Sequence, residues 1–165
     1  MHAYDDNGWL IGTLSAWPRD RAWSILAPET SSRLSADRLA HQAKKFFGVE
    51  LQLAPAKLYP EGGWPVVDAF VVTVADAAIE VITLPIERAP LIVAAADDGV
   101  EAIGGAGMDV LVKRCRRLWQ VAADGRGRHD AGLIVAAVVA SLLLGPIVPP
   151  DERVIFGVKG ARERM

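Results

Sequence analysis

One stretch constrains this chain more than any other. In "DAGLIVAAVVASLLLGPIVPP", residues 130–150, no charge stands between Asp130 and Pro149, and Ser141 is the only polar side chain there. The first part, 130–145, reads as a helix with Asp130 as its N-cap, Gly145 as its stop and Pro146 behind it. A helix that is apolar all round must be buried all round. A membrane span needs about 20 apolar residues, and Pro146 ends this helix after about 24 Å. The expectation is therefore a central helix inside a folded domain. A sheet can cover one side and a neighbouring helix a second. The stripe left over would exceed what a soluble monomer usually exposes, which leads us to expect a homodimer built partly on this helix.

Around it the chain reads as one domain, residues 1–165, of the α+β class: a mostly antiparallel sheet packed against two or three helices. Hydrophobic residues make up 52% of the chain and charged ones 23%, so disorder is excluded. "GWLIGTLS" (8–15) and "RAWSILA" (21–27) read as a hairpin turned at "AWPRD". "SADRLAHQAKKFFG" (35–48) reads as a helix with Ser35 as N-cap, Gly48 as stop and Leu39, Ala43 and Phe46 on one face. "VELQL" is a short strand, and 54–65 is a loop punctuated by Pro and Gly. Residues 66–96 suggest a three-strand meander, "VVDAFVVTVA", "AIEVITL" and "PLIVAAA", turning at Asp76 and near Pro85 and Pro90. "RVIFGV" (153–158) reads as a last strand and "KGARERM" as a polar tail.

"IGGAGMDVLVKRCRRL" (103–118) carries the strongest hint of chemistry. Helical spacing from 107 to 123 puts Met108, Leu111, Val112, Cys115, Leu118, Trp119 and Ala122 in one stripe. Lys113, Arg114, Arg116, Arg117 and Gln120 fall on the opposite, solvent side. Cys115 is then core rather than nucleophile. Gly104, Gly105 and Gly107 precede this helix, where free backbone N–H groups attract anions. The turn lacks the third small residue of a dinucleotide fingerprint, since Val110 stands there, and lacks the Gly-Lys-Ser/Thr of a P-loop. Gly105, Gly107 and Leu111 resemble the acyl-CoA pyrophosphate loop of GNAT-type acetyltransferases, although Ala102 replaces the basic or glutamine residue expected before the first glycine. That resemblance implies an acyl-CoA or nucleotide-dependent transferase. Asp109, in the first turn, would repel a phosphate.

No other catalytic constellation stands out. The histidines, His2, His41 and His129, are scattered and without metal spacing, and there is no nucleophile elbow. Neither a cofactor nor a metal is expected. Trp17 and Trp64 lie in turn sequences, and Trp17 is followed by Arg19 and Arg21; aromatic and arginine side chains together mark binding surfaces. The net charge of −2 hides a balance of −6 over residues 1–104 and +4 over 105–165. The acidic total and the lack of stacking residues within the basic run argue against nucleic acid. The N-terminus has no signal-peptide pattern and the single cysteine forms no internal disulfide, so a cytoplasmic location is expected. The sequence thus suggests a non-catalytic binding or accessory protein that self-associates. Its candidate ligand residues are Trp17, Arg19, Arg21, Trp64, Gly104, Gly105 and Gly107, for a small anion. A small transferase using the glycine turn is the alternative.

Overall fold

The computed structural model describes residues 15–28, 36–53, 69–124 and 130–165. Six strands form one sheet: β1 (Ala22–Ala27), β2 (Gln52–Leu53), β3 (Ala69–Val74), β4 (Ala77–Pro85), β5 (Arg117–Ala122) and β6 (Ile147–Val148). Their order is β2-β3-β4-β5-β1-β6, and every pairing is antiparallel. Five helices accompany them among the described residues: α1 (Ala36–Gln42), α2 (Pro90–Ala102), α3 (Met108–Lys113), α4 (Ala131–Leu143) and α5 (Val158–Arg164). This is the α+β class expected.

All six residues of β1 are buried, because both faces of the sheet centre are covered. Trp23, Ile25 and Ala27 point to the face where α4 lies, together with Phe70, Val81, Trp119 and Val121. Phe70 and Trp119 meet edge to face, with ring centroids 6.4 Å apart. On the opposite face Ile82, Leu84 and Leu118 pack on Ala89 and Ile92, with Trp17 against them. Leu26 packs there with Ala96, Val112, Cys115 and Ile155. β3 and β4 join through a two-residue turn at Ala75 and Asp76, both with positive φ. That is the hairpin geometry whose twist matches the strands.

Several expectations are corrected. The helix expected over 107–123 is the short α3, a turn, and then β5, a strand in the middle of the sheet. Leu118, Trp119 and Cys115 are buried as expected, but Gln120, assigned to solvent, is fully buried. The spacing of the apolar residues fits a helix only because a strand buried on both faces shows no polar alternation. "PLIVAAA" is not a third strand: it opens α2, with Pro90 at N1, where the missing N–H costs nothing. "RVIFGV" contributes only a bridge between Phe156 and Ile147, and the "polar tail" is α5. The expected 35–48 helix is found as α1 followed by a π-turn at Ala43–Phe47, with Gly48 left-handed after it. The wider turn rotates Phe46 outward to 47% exposure, and Phe47 packs on the core instead. Ser35, the 54–65 loop and strand 8–15 apart from Ser15 lie outside the described residues.

α4 is buried as its sequence requires. Asp130 caps it by accepting from the Gly132 N–H at 2.7 Å. Its stop is Leu144, not Gly145: Leu144 takes the left-handed conformation at φ 55°. Gly145 serves a close approach, since a Cβ there would lie 1.8 Å from the Leu26 carbonyl oxygen. α4 packs against β1 and β5 on one side and against α1 and α5 on the other. Only Ile134, Ser141 and Leu142 within it are partly exposed. The uncovered stripe that motivated a dimer is thus covered within the chain, because α5 supplies a wall that the sequence reading lacked. No helix among the described residues is long and apolar enough to cross a membrane.

Candidate functional site

A candidate site lies on the sheet face opposite α4, at the end where β1 begins. It is a cleft of about 430 Å³ lined by Trp17, Pro18, Asp20, Arg21, Glu80, Ala122, Ala123 and Asp124. Strand alternation places Glu80 and Ala122 on the same face as Ile82 and Gln120, so they form its floor. Residues 17–21 form a wall. The Arg21 N–H donates to the Pro18 carbonyl (3.0 Å), and the Ala123 N–H donates to the Arg21 carbonyl (3.0 Å), which ties this turn to the end of β5.

Gln120 anchors the wall from below. Its Oε1 accepts from the Trp17 N–H at 2.8 Å, and its Nε2 donates to the Trp17 carbonyl at 3.0 Å and to Ser24 Oγ at 3.0 Å. A buried amide with such a set of partners is fixed in one orientation. Gln120 therefore holds the backbone of Trp17 at a set height above the sheet. The indole is half-buried, resting on the Ile82 and Leu118 cluster. Sequence reasoning missed Gln120 because it assigned the residue to a solvent-facing helix. A glutamine in the run "RLWQVA", read as a strand, is the signal that would have found it.

Asp124 links the lip of the cleft to α4. Its Oδ2 accepts from the Ala131 N–H at 2.9 Å, while its own N–H donates to Asp130 Oδ1 at 3.1 Å. Asp130 Oδ2 accepts from Trp23 Nε1 at 3.1 Å. Burial pushes the Asp130 carboxyl above its ordinary value, a tendency opposed by the N–H groups of Asp124, Trp23 and Gly132. The nearby Asp124 charge adds to the rise.

Of the residues singled out in the sequence, the structure brings Trp17 and Arg21 into the cleft. Arg19 turns away, its guanidinium donating to the Glu152 carbonyl. Trp64 and His129 lie outside the described residues. His41 is exposed on α1, as expected. The described lining holds three carboxylates, Asp20, Glu80 and Asp124, against the single guanidinium of Arg21.

The glycine turn closes α2 with its own backbone. Gly104 and Gly105 both have positive φ. The Gly104 N–H donates to the Glu101 carbonyl (3.1 Å) and the Gly105 N–H to the Val100 carbonyl (2.9 Å). This pair is the Schellman closure of α2. The Ala106 and Met108 N–H groups donate to the Gly104 and Gly105 carbonyls. Gly107 is an exposed left-handed residue before α3, a helix of six residues. The turn is built to end α2, and these donors are already engaged. Cys115 is buried, with its Sγ 3.3 Å from the Leu111 carbonyl. Burial pushes its thiol up to about 11, against a smaller opposing effect of Arg116. Among the described residues no group of three or more His, Cys, Asp or Glu is placed to hold a metal ion.

The chain matches no protein-family model, and comparison with curated proteins and with solved structures returns no match.

Proposed function

We propose that this protein is a non-catalytic binding module that takes a small organic cation or amine into the cleft beside Trp17. One observation carries this reading: a cleft of about 430 Å³ whose aromatic wall is clamped to the sheet by a buried glutamine, and whose described rim is net acidic. Ligand sites of this kind are concave, with few polar groups fixing orientation. An indole face attracts cations through its quadrupole, and the exposed Asp20 carboxylate on the same wall supplies counter-charge. Arg21 leaves room for a ligand that also carries an acceptor. The thermal-shift test compares a panel of amines and guanidines with carboxylic acids of matched shape. A ligand at 100 times its dissociation constant adds about 2.7 kcal/mol, so a true ligand raises the melting temperature by several degrees. The shift is expected from the cationic set and lost in Trp17→Ala. A shift from acids or phosphates alone would overturn the reading.

A further inference from the structure

At the other end of the sheet lies a surface of different character. β1 and β4 run toward it and β5 starts from it: Arg117 pairs with Ala27 on one side and Pro85 on the other. The Ile86 N–H donates to the Arg116 carbonyl (3.1 Å), the Arg116 N–H to the Ala27 carbonyl (2.8 Å), and the Leu26 N–H to the Pro146 carbonyl (3.0 Å). Segments 85–91, 113–117 and 144–146 therefore meet here. They contain the cations Arg88, Lys113, Arg114, Arg116 and Arg117, and one acid, Glu87. All but Arg117 are exposed, and Arg117 is half-buried.

The same segments hold the two most exposed large apolar side chains among the described residues, Leu91 at 82% and Leu144 at 74%. Leu91 is in the first turn of α2, and helical side chains lean toward the N-terminus, that is, toward this end. Leu144 follows α4 in a left-handed conformation that glycine would adopt without strain. A leucine that is both strained and exposed contributes little to this fold. The two leucines come from helices on opposite faces of the sheet, so they stand at opposite rims with the strand-end arginines between them.

We infer that this end is a docking surface for an anionic lipid bilayer. Charge complementarity selects the partner: basic clusters bind the negative leaflet surface, and long cationic side chains reach the headgroups while apolar side chains enter the acyl boundary. Two separated apolar tips flanking cations suit a flat, fluid surface, which both tips reach at once. The short apolar run at 130–149 bears on spanning a bilayer and not on lying against one.

The test is co-sedimentation of the whole protein with vesicles of equal parts phosphatidylserine and phosphatidylcholine, against vesicles of phosphatidylcholine alone. Binding is expected only to the anionic vesicles and should weaken as salt rises. Leu144→Gly with Leu91→Ser, and separately Arg88→Gln with Arg114→Gln, should each reduce the bound fraction several-fold. Leu144→Gly relieves backbone strain, so lost binding with an unchanged or raised melting temperature cannot be assigned to unfolding. No sedimentation with anionic vesicles at low salt would overturn the inference. So would binding that survives removal of both leucines while failing without the arginines, which would assign this end to a soluble polyanion.

Discussion

Asp130 is the residue on which fold and site most depend together. It accepts from Trp23, Gly132 and Asp124, and Asp124 lines the cleft. Asp130→Ala leaves three buried or half-buried donors without their acceptor and should cost at least about 3 kcal/mol in a denaturant melt. Its carboxyl is held above its ordinary value by burial. The folded state thus binds this proton more tightly than the unfolded chain. The stabilising contribution of the protonated form is present below the ordinary carboxylate range and is lost as pH rises through the raised value. Asp130→Asn cannot titrate. Wild type should therefore gain stability relative to Asp130→Asn as the pH is lowered from neutral into that range, and the opposite trend would contradict the assignment. Leu144 offers a second test at this scale. A leucine at φ 55° is strained by about 1 kcal/mol relative to glycine, so Leu144→Gly should raise stability by about that amount in the same melts. The sequence made the Asp130 cap legible, because an acid directly before an apolar helical run has few other uses. It hid the strain at Leu144, since Gly145 next to it looked like the natural stop and was instead required for its approach to Leu26.

Among the elements, β5 decides the account. Read as a helix, the 107–123 stretch leaves nothing to join β4 to β1; read as a strand, it lies between them. The confusion has a physical origin. Residues 108–113 are truly helical, and the strand that follows buries both faces, so neither periodicity dominates. α2 was obscured the same way, by the short apolar run 90–96 that suits either state until Pro90 and the alanines are weighed. The α4 helix was legible because its apolar character extends around its whole circumference. Leu118→Ala should cost roughly 2–5 kcal/mol, since the side chain is fully buried. Arg117→Ala should cost about 1 kcal/mol, because Arg117 Nε donates to Thr83 Oγ1 at 2.9 Å; a freely solvated helical arginine would cost less than about 0.5 kcal/mol. Gln120→Met removes the clamp on Trp17 and leaves its backbone groups and Ser24 without their partner. It should cost about 2 kcal/mol and weaken ligand binding together with it.

For the whole molecule, the antiparallel sheet separates two surfaces. The end where β1 begins carries the acidic cleft, and the end where it finishes carries the basic, leucine-tipped face. The charge asymmetry between the two parts of the sequence is thus partly a separation in space: Arg88, from the acidic part, joins the basic end, and Asp124, from the basic part, joins the cleft. The cleft itself was half legible. Trp17 and Arg21 were singled out by residue type, but Glu80, Asp124 and Gln120 enter only through strand pairing across long sequence separations, which no local pattern reveals. The central claim is that this cleft binds a small cation against Trp17, and an NMR titration that follows the tryptophan indole N–H resonances tests it most directly. With an amine or guanidine ligand, the Trp17 indole should shift progressively and saturate, the indole of Trp119 on the opposite face should stay in place, and Gln120→Met should weaken the response. Saturable binding that moves Trp119 and leaves Trp17 unchanged, or no response of Trp17 to any cation, would contradict the account.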